Sequence, residues 1–191
     1  MAIGVCMIMY LALLHAGPFG MEMGESLEQL EKKGLHLTPL DDSPGFFFAI
    51  PSQPFPEFDT IVIGLDPEEG LYWIKAFSKS IADSGDGIQT KKKFGEFQQS
   101  LSLAYGAGTF TDYPIEGTMW DKPENWMFSI ALHERYYLVL WESTQGKPLR
   151  NNLGSLALIA QGSLDNTGYL VLEYTSLQYG RILAKQQTAQ K

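Results

Sequence analysis

The sequence predicts an α+β fold in which helices pack on antiparallel sheet, arranged as two tandem helix-plus-sheet units. Three observations lead there. Two segments, around residues 27–33 and 91–105, space apolar residues three and four apart, the spacing of one helix face. The runs rich in β-branched and aromatic residues are short and separated by Gly, Pro, Asn and Asp, which reverse a chain and leave no room for parallel crossovers. The order helix, three strands, helix, four strands then reads as one unit written twice. Gly24-Glu25 followed by Leu30 recurs 71 residues later as Gly95-Glu96 followed by Leu101.

Residues 1–16 carry no formal charge, and Val5 to Leu14 form an apolar run too short to span a bilayer. Leu14-His15-Ala16 offers signal peptidase a small residue before Gly17. Residues 1–16 therefore read as a signal peptide, although Lys and Arg are missing from its start; the alternative is a first strand or buried helix of the mature domain.

The first unit, residues 17–85, opens on Ser26-Leu27-Glu28-Gln29, a capping box in which Ser26 accepts an orphan amide and Gln29 reaches back to the cap. Leu27 and Leu30 share a face, and Gly34 closes the helix in the left-handed conformation. Pro39, Pro44, Pro51, Pro54 and Pro56 make residues 38–57 loop or edge strand, with Phe46 to Ile50 as the strand-like run. Phe58 to Leu65 and Leu71 to Ser80 flank Asp66-Pro67-Glu68-Glu69-Gly70 and form an antiparallel hairpin.

The second unit, residues 86–184, begins with a helix over residues 91–105, where Phe94, Phe97, Leu101 and Ala104 align and Gly106 stops it. A loop over residues 107–125 leads to four meandering strands: Trp126 to Leu132, Tyr136 to Trp141, Leu153 to Gln161 and Tyr169 to Ser176. Asp165-Asn166-Thr167-Gly168 turns between the last two. Residues 185–191 read as a disordered tail.

Removal of the leader leaves 191 − 16 = 175 residues, enough to bury a self-sufficient core without metal or cofactor. The net charge of −8 lies wholly in that part and opposes binding to nucleic acid, whose affinity comes from Lys and Arg displacing counterions. Anionic lipid is disfavoured likewise, so membrane association is expected only through an uncleaved leader. Lys91-Lys92-Lys93 reads as a solvated helix face. Cys6, the sole cysteine, lies in the leader, which leaves a chain free of disulfides and suited to a bacterial periplasm.

The string Phe19-Gly20, Gly24-x-Ser26-x-x-Gln29-Leu30-x-x-x-Gly34 resembles the start of the small lipoprotein domains of outer-membrane assembly. It is also similar to the opening of β-lactamase inhibitor protein-like domains. The resemblance implies a helical N-terminal part on antiparallel sheet and, for the inhibitor proteins, two such units in tandem. Glu25, where those families place an apolar residue, and Gly34-Leu35-His36, where they place Gly-x-Pro, depart from it. The chain further resembles uncharacterised exported bacterial proteins whose mature part begins Gly-Pro-Phe-Gly.

Candidate chemistry is sparse. Beyond the leader only His36 and His133 remain as imidazole bases, and His133 falls in a turn. Cys pairs, His-x-x-x-His and calcium-type Asp loops are missing, so no metal or cofactor is expected. Asp112, Glu116, Asp121 and Glu124 lie among Tyr113, Trp120 and Trp126, and two of them could form the acid and base of a glycan hydrolase. Recognition suits the stretch better, because long loops tend to be functional and Tyr and Trp give stiff contact area. The expected partner-binding residues are Tyr113, Trp120, Asp121 and Trp126, joined by Tyr137 and Trp141; Trp120 and Trp126 alternatively plug the sheet as core. The expectation is a non-catalytic, periplasmic or secreted module of inhibitor, immunity or adaptor type that binds another protein. A structural part in envelope assembly and a glycan hydrolase are the alternatives.

Overall fold

The computed structural model describes residues 17–53 and 55–189; the expected leader lies outside them. Among the described residues the helices are α1 (Leu27–Lys32), α2 (Ile88–Tyr105), α3 (Trp126–Ala131) and α4 (Tyr179–Ala189). The strands are β1 (His36–Pro39), β2 (Phe46–Ile50), β3 (Phe58–Asp66), β4 (Gly70–Ser78), β5 (Ile81–Ala82), β6 (Thr109–Pro114), β7 (Arg135–Glu142), β8 (Leu153–Gly162) and β9 (Thr167–Ser176). They form one antiparallel sheet in the order β1-β2-β3-β4-β9-β8-β7-β6, with β5 added beside β9. The α+β class is as expected.

Register explains why the sheet has one inside. Because side chains alternate between faces, Ile63, Ile74, Tyr174, Leu156 and Trp141 line up as one row across five strands. Ile61, Ala76, Leu172, Leu158 and Val139 form the next row. All ten are buried, and with Leu30 of α1, Phe94 and Phe97 of α2 and Met127 and Ile130 of α3 they make a single core. The opening Gly-Pro-Phe-Gly has a structural role here. Phe19 is 1% exposed and meets Phe55, Phe58 and Tyr174 edge to face at 5.0, 5.1 and 6.2 Å, which plugs the core from the N-terminal side. The first half runs α1-β1-β2-β3-β4-β5 and the second α2-β6-α3-β7-β8-β9-α4, so the two orders differ by β5, α3 and α4, and both halves share this sheet and core.

Helix α4 lies on the opposite face. The pairs Gly64–Trp73 and Leu65–Leu71 leave Tyr72 as the extra residue of a bulge, turned onto the face that Phe46, Gly64 and Trp73 share. A Cβ on Gly64 would stand 2.8 Å from the Tyr72 ring, so glycine makes room for it. Tyr179 stacks on Tyr72 at 6.1 Å, Ile182 is buried, and Arg181 and Lys185 reach Glu69 and Glu68, each at 2.6 Å.

Three expectations are corrected. The expected strand from Trp126 to Leu132 is instead helix α3 and its C-cap: a run that is apolar except for Ser129 has no readable period, and Pro123 starts a helical turn just before it. The loop at 107–125 holds strand β6, and α4 reaches through residues 185–189 of the expected disordered tail.

Candidate protein-contact surface

The surface is assembled at the far edge of the sheet, where β6 runs beside β7. Tyr113 and Tyr136 face each other across this pair, and each is 53% exposed. The segment leaving β6 folds around Glu134. The Ile115 N–H donates to the Glu134 carbonyl at 2.8 Å, the Thr118 N–H to the Ile115 carbonyl at 3.1 Å, and the Thr118 hydroxyl to the Glu134 carboxylate. That hydroxyl in turn accepts the Trp120 N–H at 3.1 Å. These bonds tie the loop to Glu134, two residues before Tyr136, and leave Ile115 and Met119 exposed on it, Met119 by 79%. Glu116, Asp121 and Glu124 are exposed along the same stretch of chain. Trp120 is half-buried, tilted on Phe128 at 5.1 Å.

Of the expected contact residues, Tyr113 and Asp121 reach solvent and Trp120 does so in part. Trp126 and Trp141 are corrected to core, at 1% and 2% exposure. The Trp126 ring lies against Tyr137 at 5.1 Å and beneath the Lys91 ammonium at 4.4 Å, while its buried indole N–H has no hydrogen-bond partner among the described residues. Trp141 donates its indole N–H to the Gly106 carbonyl at 2.7 Å. Tyr137 is half-buried on the inner face, edge to face with Phe94 at 4.7 Å and Phe110 at 5.2 Å. Burial pushes its phenol upward and the Asp112 carboxylate adds to that, with Arg135 opposing. Strand parity decides all three: Tyr137, Val139 and Trp141 point to the core, so Tyr136, Leu138 and Leu140 point away. Tyr136 was legible in that alternation; Ile115 and Met119 had no such signal.

Compared with known proteins, the chain matches no family model and no curated sequence. Its surface chemistry must therefore be read from its own residues. From the tyrosine pair the outer face continues inward as Thr111, Leu138, Ile159, Val171 and Phe77, one row across five strands. Beside it, the Trp73 indole N–H donates to Glu173 at 2.8 Å, and Lys75 pairs with the same carboxylate at 3.4 Å. This compensates the charge at the centre of the face.

The groups considered for catalysis are dispersed. Asp112 is held by Arg135 at 2.5 Å, and Glu116, Asp121 and Glu124 are each solvated. His36 and His133 are exposed, His133 in a turn at φ 58°. Among the described residues no three His, Cys, Asp or Glu side chains are grouped to hold a metal ion, and no helix is long and apolar enough to cross a membrane.

Proposed function

We propose that the chain is an exported, non-catalytic protein-binding module of inhibitor, immunity or adaptor type. The observation that carries the reading is the corner where Tyr113, Tyr136, Ile115 and Met119 are exposed together. Large apolar groups gathered at one place on a surface, rimmed by charge, are characteristic of protein contact, and tyrosine anchors such contacts at low entropic cost. The partner on this reading is a protein with an apolar centre and a basic rim, matching Glu116, Asp121 and Glu124. The uncharged opening of 1–16 and a lone cysteine within it support export to a periplasm or the exterior.

The test is capture from periplasmic extract with the full chain. The native protein is expected to retain a partner at one-to-one stoichiometry. Tyr113→Ala should weaken retention by about 2 kcal/mol, roughly 30-fold, as a contact anchor does, and Met119→Asp should also weaken it, both with an unchanged melting temperature. Retention that ignores both substitutions overturns the reading.

A further inference from the structure

We infer that β6 accepts an extended, basic segment of the partner as an added strand. The inference rests on the proposed function above and specifies how the partner is held.

The register and one backbone bond fix which groups are available. The Ile115 N–H donates to the Glu134 carbonyl, which sets the phase of the β6–β7 ladder. In an antiparallel pair only alternate residues bond to the neighbour, so Tyr113, Thr111 and Thr109 bond to β7, while Phe110 and Asp112 direct both N–H and C=O outward. Pro114 falls in the outward phase, where its missing N–H takes nothing from the ladder. Among the described residues β7 is the only strand paired with β6, and its residues Thr109, Phe110, Asp112 and Tyr113 are all exposed.

Sheet edges are ordinarily blunted by short length, lysine, proline or bulges. The other edge, β1, has four residues and ends in Pro39. Strand β6 has six; it too ends in a proline, Pro114, but it carries no lysine and no break in register from Thr109 to Tyr113. Its one charge, Asp112, is paired with Arg135. Backbone pairing gives an added strand affinity, and flanking side chains give it selectivity. Here Asp112 is neutralised by Arg135, and the loop that follows the strand carries Glu116, Asp121 and Glu124 against Lys122 alone. That balance selects an incoming strand that alternates lysine or arginine with apolar residues, which would lie between Phe110 on one face and Tyr113 on the other.

The probe is a blocked peptide alternating lysine and valine, N-methylated along one edge so that it cannot pair with itself. Amide hydrogen exchange is read on the full chain. At a peptide concentration ten times its Kd, exchange at Phe110 and Asp112 should slow about tenfold, with Thr111 and Tyr113 unchanged because β7 already holds them. Asp112→Asn, which keeps the N–H, should retain the effect at Phe110; Asp112→Pro, which removes it, should abolish peptide binding.

The inference is overturned if Phe110 and Asp112 gain no protection, if a glutamate–valine peptide protects them equally, or if Asp112→Pro binds the peptide normally. Protection in the free protein that rises with its own concentration also overturns it, since a second copy then occupies the edge. A partner lost with Tyr113→Ala but retained by Asp112→Pro refutes strand addition and leaves the contact surface standing.

Discussion

Asp83 caps a helix from a distance. Gly87, the residue before α2, sits at φ 68° and has no side chain to offer. A Cβ there would come within 2.1 Å of the Trp126 ring. The Asp83 carboxylate instead accepts the Ser84 and Gln89 N–H groups on one oxygen, at 2.8 and 3.1 Å, and the Thr90 N–H on the other at 2.6 Å. Burial pushes this carboxyl up, but the bonds from Thr90, Ser84 and Gln89 outweigh it and hold it below the usual range. A depressed folded value means the stabilisation is complete above the unfolded pKa of about 3.9 and fades as pH falls through the folded one. Asp83→Ala is therefore expected to cost about 1–2 kcal/mol at pH 7, with the gap to the native protein narrowing once urea melts are run below the unfolded value. A gap that stays constant down to that range would remove the charge from the account. The same geometry explains why the sequence places the start of this helix at Lys91, three residues late: the usual signal is a capping side chain next to the helix, and here it stands beyond a glycine.

Elements were legible where runs of β-branched and aromatic residues are bounded by turn residues. The β3–β4 hairpin and strands β7, β8 and β9 are such runs and appear where the pattern puts them. The capping box at Ser26 and Gln29 forms as written, with bonds of 3.3 and 2.8 Å. Strand β6 was hidden because an edge strand carries polar residues at many positions, and α3 because Ser129 is its one polar residue and, bonded back to the Trp126 carbonyl, marks no wet face. Helix α4 had a usable signal, Tyr179, Ile182, Leu183 and Gln186 at helical spacing, and these are its less exposed residues. Among the described residues its attachment is slight: one buried side chain, one ring stack, a long hydrogen bond from the Gln186 amide to the Tyr72 hydroxyl at 3.5 Å, and two solvent-screened surface ion pairs. Such elements open locally before the rest of a protein does. Ile182→Ala should thus release α4, seen as rapid tryptic cleavage at Arg181 and Lys185, while the main melting transition shifts little. Unchanged trypsin resistance with a main transition weakened by more than about 2 kcal/mol would mean that α4 is integral to the fold.

For the molecule as a whole, the question is whether its two helix-plus-strand halves form two cooperative units or one. Sequence reasoning divides the chain at residue 85, because helix-plus-strand order is a local property while sheet order is not. Across that division β4 pairs with β9 over five residues, placing Ile74 beside Tyr174 and Ala76 beside Leu172 in the core rows. The connection is stitched further by β5 on β9, by the Asp83 N–H to the Asn166 carbonyl at 3.1 Å, and by the Leu170 N–H to the Ser78 hydroxyl at 2.8 Å. A first half cut away at residue 85 would expose the inner row of β4 and leave its outward N–H and C=O groups unpaired. Unfolding should accordingly be a single transition, coincident whether followed by far-UV circular dichroism, by Trp73 in the first half or by Trp141 in the second. Ile63→Ala and Leu158→Ala, one from each half and both fully buried, should each lower the stability of that one transition by about 2–5 kcal/mol. Two transitions, each moved only by the substitution in its own half, would show instead that the halves fold independently and that the β4–β9 seam is an interface between them.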